Sequence, residues 1–149
     1  MTSGEDSNVI VILVRDVMTR KVVTIGPETS CDKARRLMDE LRIRHLPVVD
    51  GGRLVGMVSD RDVRSVAVQS PGTLASRIMT PDPVTVTPDT RVEYAARIML
   101  DRRFGSLPVT DGRALIGIVT YTDLLRAFVR VIETATLERI AVDFSGGTS

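Results

Sequence analysis

The sequence predicts a mixed α/β (α+β) fold made of two β-α-β-β-α units packed on each other through their sheets. Three observations predict it. Sliding the chain by 61 residues superimposes Met18–Val63 on Met79–Leu124 without a gap, so one unit is written twice. Within each copy the apolar residues run first at helical and then at strand spacing. The two copies are separated only by Gln69-Ser70-Pro71-Gly72-Thr73. A unit of about 60 residues is marginal alone, and a short linker leaves its sheet face to be covered by its twin.

Each unit opens on a short lead-in, around Val14 to Val17 and Leu74 to Ile78. Val22 to Ile25, echoed by Val84 to Val86, reads as a short strand ended by Pro27 or Pro88, whose missing N–H cannot continue a ladder. Pro27-Glu28-Thr29 and Pro88-Asp89-Thr90 then lead into helices. In the first, Cys31, Ala34, Leu37, Met38 and Leu41 form an apolar stripe; Val92, Ala95, Ala96, Ile98 and Met99 form its partner. Two strands follow, Leu46 to Val49 and Leu54 to Val58, with Leu107 to Thr110 and Leu115 to Val119 in the second copy. Asp50-Gly51-Gly52 and Asp111-Gly112 join them as hairpin turns, since glycine supplies the positive φ. The last helix of each unit starts at Ser59 or Thr120, and the second is long, running through Phe128, Val131 and Ile132 toward Ile140. The organisation expected is therefore a disordered 1–8, a first repeat over 9–68, a linker over 69–73, a second repeat over 74–142 and a flexible tail over 143–149.

Composition narrows the function classes. Net charge is +1 and aromatic residues are 3% of the chain, so neither a basic footprint nor stacking platforms point to nucleic acid. One cysteine, Cys31, on an apolar helix face, and one histidine, His45, leave no Cys/His metal cluster and no intramolecular disulfide. The N-terminal Ser3-Gly4-Glu5-Asp6-Ser7 is acidic where a secretory signal starts basic, and the apolar run Val9 to Val14 is too short to span a bilayer. A cytoplasmic protein without a membrane segment is expected. No phosphate-binding glycine loop, nucleophile elbow or metal motif is present, so no catalytic residue is assigned and an enzyme is not expected.

The stretch where chemistry concentrates is Gly56-Met57-Val58-Ser59-Asp60-Arg61-Asp62, with its near copy Gly117-Ile118-Val119-Thr120-Tyr121-Thr122-Asp123. Ser/Thr-x-x-Asp at a helix start has two readings. As a cap, the hydroxyl accepts from the third backbone N–H and the Asp complements the helix dipole. As a ligand site, free N–H groups suit a phosphate and an ionised Asp suits the neighbouring hydroxyls of a ribose. The local sequence does not choose between them.

The Met-Thr lead-ins (Val17-Met18-Thr19, Ile78-Met79-Thr80), the Leu-Pro-Val strands (Leu46-Pro47-Val48, Leu107-Pro108-Val109), the glycine in the next strand and the closing Ser/Thr-x-x-Asp together resemble a tandem pair of cystathionine-β-synthase (CBS) domains, a Bateman module. The resemblance covers about residues 14 to 130. It implies a pseudo-twofold axis and two clefts that take an adenosine-containing ligand such as AMP, ADP or ATP, with no obligatory cofactor. It also implies that Asp62 with Ser59, and Asp123 with Thr120, mark the sites, while Thr24, Ile25 and Pro27, and Thr85, Val86 and Pro88, flank the base. Arg44, His45 and Arg61 would hold phosphate, a solvated or structural place being the other reading of Arg44 and His45, and Tyr121 would stack on the base or cover the cleft. Because Gly105, Ser106 and Thr122 stand where the first copy has Arg44, His45 and Arg61, the two clefts are expected to be unequal. The partners implied are the adenosyl ligand, a second copy of the chain and an unidentified protein target regulated in trans.

Overall fold

The computed structural model describes residues 10–146; the expected disordered segment 1–8 and the end of the expected tail, 147–149, lie outside the described residues. The elements are α1 (Val14–Val17), α2 (Cys31–Leu41), β1 (His45–Asp50), β2 (Arg53–Ser59), α3 (Asp60–Ala67), α4 (Ala75–Ile78), β3 (Thr80–Pro81), α5 (Val92–Arg102), β4 (Ser106–Asp111), β5 (Ala114–Thr120) and α6 (Tyr121–Gly146). The last helix thus runs beyond Ile140 into the expected tail.

Both hairpins form as the turn chemistry predicts, with Gly51, Gly52 and Gly112 at positive φ. They share one register: His45 faces Ser59 and Ser106 faces Thr120, and the same irregularity falls after Val48 and after Val109. The sheet order is β1-β2-β5-β4, the hairpins meeting at their turn ends through Arg53 and Ala114, with β3 added to β2. The first strand of each unit is shorter than expected. It is one parallel bridge, Ile25 on Val48 and Val86 on Val109. Ile25 N–H donates to the Pro47 carbonyl (3.0 Å) and the Ile25 carbonyl accepts from Val49 N–H (2.9 Å); Val86 does the same with Pro108 and Thr110. The next bonds in either direction would need an N–H from Pro47 or Pro27, and from Pro108 or Pro88, which proline lacks.

The helices bury the faces their periodicity assigns. Cys31, Ala34 and Met38 of α2 and Ala95 and Met99 of α5 are buried, while Leu41, at the end of its stripe, is 45% exposed. Burial pushes the Cys31 thiol up, as befits an inert core residue.

The lead-ins exchange places. Val14 and Met18 pack into the core of the second copy with Val86, Met99, Leu107 and Val119, whereas Ala75 and Met79 pack into that of the first with Met38, Leu46 and Val58. Backbone bonds fix the exchange: Val14 N–H donates to Thr90 O and Arg15 N–H to Pro88 O, while Ala75 N–H donates to Thr29 O and Ser76 N–H to Pro27 O. In return, carbonyls of the entering segments satisfy helix N-termini, Ile12 O for Val92 N–H and Thr73 O for Cys31 N–H. Each segment then crosses a strand at a glycine. A Cβ at Gly56 would lie 2.4 Å from Met79 Sδ, and one at Gly117 would lie 2.8 Å from Met18 Sδ and 3.0 Å from the Thr19 carbonyl. Two glycines therefore allow two methionines, each burial being worth about 2 kcal/mol, to lock the halves together about a pseudo-twofold axis.

Candidate functional site

At the end of β2 the backbone of Ser59 is extended, and its Oγ accepts the Asp62 N–H at 3.3 Å while its hydroxyl donates to Asp62 Oδ2 at 2.8 Å. At the end of β5 the arrangement is fuller. Thr120 Oγ1 accepts the Asp123 N–H (3.3 Å), and Asp123 Oδ2 accepts both the Thr120 N–H (2.9 Å) and its hydroxyl (3.1 Å). Both motifs are caps, of a kind worth about 1 kcal/mol each.

The exchanged lead-in adds a further bond in one copy. The segment crossing β5 bridges Ile118 through Thr19, and the Thr19 hydroxyl donates to Asp123 Oδ1 at 3.1 Å. With Arg126 at 3.9 Å as well, Asp123 sits 5% exposed inside a network of donors. Thr80, the counterpart of Thr19, pairs with Met57 on β2, but among the described residues the Asp62 carboxylate is hydrogen-bonded to Ser59 alone. Asp62 caps its helix; Asp123 caps its helix and ties the first copy's lead-in to the second copy's last helix.

Between the copies lies a cavity of about 830 Å³, within the range of small-molecule sites. Seven of the residues expected at a site line it: Arg44, His45, Ser59, Arg61, Thr120, Tyr121 and Asp123. The other seven do not. Asp62 is half-buried outside the lining. Ile25 and Val86 are buried in the cores, and Thr24 and Thr85 are exposed beside them. Pro27 and Pro88 receive the entering lead-ins through their carbonyls. Sequence reasoning missed Thr19, Lys21, Val22, Val23 and Arg126, all on the cavity wall. Four of these belong to the segment that crosses from one copy to the other, and only the repeated Met-Thr pair hinted at Thr19.

The wall is cationic on balance. Lys21, Arg42, Arg44, Arg61 and Arg126 line it against two carboxylates, Asp60 and Asp123, and Asp60 is already bonded to Arg64 at 2.7 Å. His45 rests its ring over Gly105, where an added Cβ would lie 2.8 Å from the imidazole. Burial, and then the neighbouring Arg44 charge, hold its pKa below the usual histidine value against the smaller pull of Asp60. Chemically the cavity offers a carboxylate and hydroxyls at one helix start, and cations from both copies. Among the described residues no group of His, Cys, Asp and Glu converges to hold a metal, and no helix is long and apolar enough to cross a membrane.

Comparison with known proteins places this geometry. The CBS domain family model matches residues 14–69 and 75–130. CBSX2 of Arabidopsis thaliana, solved in complex with AMP, is 35% identical, with a TM-score of 0.74 over 80% of this chain and 97% of that one. The CBS domain pair of protein MJ0100, solved with 5-methylthioadenosine and S-adenosyl-L-methionine, is 30% identical with a TM-score of 0.74, covering 80% and 97%. An inosine-5'-monophosphate dehydrogenase of Korarchaeum cryptofilum is 42% identical over 106 residues, which are 70% of this chain but 22% of that enzyme. The match to the enzyme is thus to a minor part of it. Two adjacent domain matches, the repeated register and the exchanged lead-ins lead to one conclusion: the chain belongs to the CBS domain family, as a tandem CBS pair.

Proposed function

We propose that this CBS pair is a regulatory sensor that binds an adenosine-containing ligand in the cleft between its copies and acts in trans on a protein partner, without catalysis of its own. One observation carries the reading: Asp123 and Thr120 open into a cavity with a surplus of cations, an arrangement that suits a ribose beside a phosphate. Its relatives CBSX2 and MJ0100, solved with AMP and with adenosyl compounds, support the adenosine part of the ligand. A ribose diol would take over the donation that Thr19 now makes to Asp123, and so would bear on the segment that joins the halves. An Asp surrounded by donors is poorly suited to act as a general base, which supports binding rather than turnover.

The cell compartment expected is the cytoplasm, and the assembly expected is a pair of chains. Leu125, Phe128, Val129 and Ile132 of α6 are exposed, a larger apolar face than a monomer needs, and a second copy would cover it. The test is a thermal-shift panel of AMP, ADP, ATP, NADH, S-adenosylmethionine and cyclic di-AMP, with sedimentation of the same sample. Saturation at 100 times the dissociation constant adds about 2.7 kcal/mol, roughly 5 to 10 °C in Tm. A shift by at least one adenosine compound and a mass of two chains are expected. A panel without any shift contradicts the sensor, and a one-chain mass at micromolar concentration contradicts the pair.

A further inference from the structure

Four cations converge on the cleft without a carboxylate to answer them. Arg15, Arg35, Arg36, Arg64 and Arg91 each have an acidic partner, and none of these five lines the cavity. Lys21, Arg42, Arg44 and Arg61 line it and form no ion pair among the described residues, while Arg126 reaches Asp123 only at 3.9 Å. Gathering like charges around one volume is unfavourable by itself, and a polyanion reverses the sign of that term.

The cations stand in two groups. Arg126 lies three residues along α6 from Asp123, and Lys21 lies two residues after Thr19, which is bonded to Asp123. Arg42 and Arg44 precede β1, and Arg61 is in the first turn of α3. One phosphate beside the ribose can meet the first group; a chain of two or three can meet both.

The repeat-related positions show what the same fold does without this chemistry. Lys21, Arg44 and Arg61 of the first copy correspond to Asp82, Gly105 and Thr122 of the second, and Arg126 of the second corresponds to Ser65 of the first. The same fold thus carries no cation at four of these five positions on its repeat-related side.

From this we infer that the cleft selects a nucleoside di- or triphosphate, and that Lys21 and Arg126 are specificity-determining residues that act with Arg44 and Arg61 on its phosphate chain. The inference rests on the adenosine reading above and deepens it. A monophosphate leaves part of the cation set unanswered, and the positively charged sulfonium of S-adenosylmethionine is repelled by it. Several paired charges at a partly exposed site amount to about a factor of ten or more in affinity, and the advantage is screened by salt.

Titration calorimetry of the full chain with adenosine, AMP, ADP, ATP, S-adenosylmethionine and inorganic triphosphate tests this. ADP and ATP are expected to bind about tenfold or more tightly than AMP and S-adenosylmethionine, the gap closing as salt rises from about 0.05 to about 0.5 M. The variant Lys21→Asp/Arg126→Ser, which installs the residues found at the repeat-related positions, brings the ATP-to-AMP ratio to within about threefold. Arg44→Gly lowers the ratio independently, should the double variant fail to fold. Arg97→Ala, on an exposed face of α5, leaves it as it is. Equal affinity for AMP, S-adenosylmethionine and ATP overturns the inference while the adenosine reading stands. Triphosphate binding as tightly as ATP also overturns it, by assigning the cations to a polyanion without a nucleoside. No binding by any adenosine compound overturns both.

Discussion

The two copies of this chain share a fold to the level of individual backbone bonds and differ in what their helix starts do. Ser59–Asp62 is a closed cap: hydroxyl and carboxylate answer each other, and the Asp lies outside the cavity. Thr120–Asp123 is a cap joined to something else, since Asp123 also takes the Thr19 hydroxyl and lines the cleft. The difference teaches that a duplicated motif need not keep identical surroundings. The motif fixes a helix terminus in both copies, and the residue carried by the segment from the other copy, Thr19 on one side, gives Asp123 a partner that the Asp62 carboxylate lacks among the described residues.

The largest effect that would break the comparison lies at the two crossing glycines. Gly56→Val and Gly117→Val each force a side chain into the methionine above, costing about 1–3 kcal/mol, or roughly 4 to 12 °C in Tm. They are expected to part in their reach. At Gly117 the crowded neighbours include the Thr19 carbonyl, so that variant also disturbs the Thr19–Asp123 bond and weakens ligand binding. At Gly56 the crowded atoms belong to the Met79 side chain alone, and binding is spared. Thermal unfolding with and without ligand reads both, and equal losses of binding would contradict the assignment of the cleft to one side.

A smaller effect sharpens the same contrast at His45, which is Ser106 in the other copy. Its folded pKa is lowered, by burial first and Arg44 second. The unfolded chain therefore takes up the proton first as pH falls through the ordinary histidine value of about 6.5, and the stability His45 allows at neutral pH is lost below it. Denaturant unfolding between about pH 7.5 and about pH 5.5 is expected to show a steeper loss for the wild type than for His45→Ser. Parallel pH curves would mean that His45 is not held neutral by its place over Gly105.

Much of the fold was legible because it rests on local chemistry. The 61-residue repeat, the Asp-Gly turns, the helix stripes and the Ser/Thr-x-x-Asp caps are all written in neighbouring residues. Even the shortening of the first strands is written there, in Pro27, Pro47, Pro88 and Pro108, once the donors of a parallel ladder are counted. The exchange of lead-ins is not. Val14 and Ala75 are small apolar residues that fit either core, and the bonds that choose between the cores are backbone bonds with no side-chain signature. The site inherits that blindness. Asp62 and Asp123 look alike in sequence, and Lys21 and Arg126 are far apart in it; only the crossing segment separates the first pair and unites the second. The loops around Thr24–Pro27 and Thr85–Pro88, which the family resemblance led one to expect at the ligand, lie outside the cavity lining, and their proline carbonyls receive α4 and α1.

The most direct measurement is the ligand affinity, by titration calorimetry, of the wild type, Asp62→Ala and Asp123→Ala with the best ligand of the panel. The inequality of the copies predicts that Asp62→Ala loses a cap worth about 1 kcal/mol of stability but binds within about threefold of the wild type, whereas Asp123→Ala loses binding by about a hundredfold, as removal of hydrogen bonds to a charged group entails. Equal loss in the two variants, or loss in Asp62→Ala alone, would contradict it.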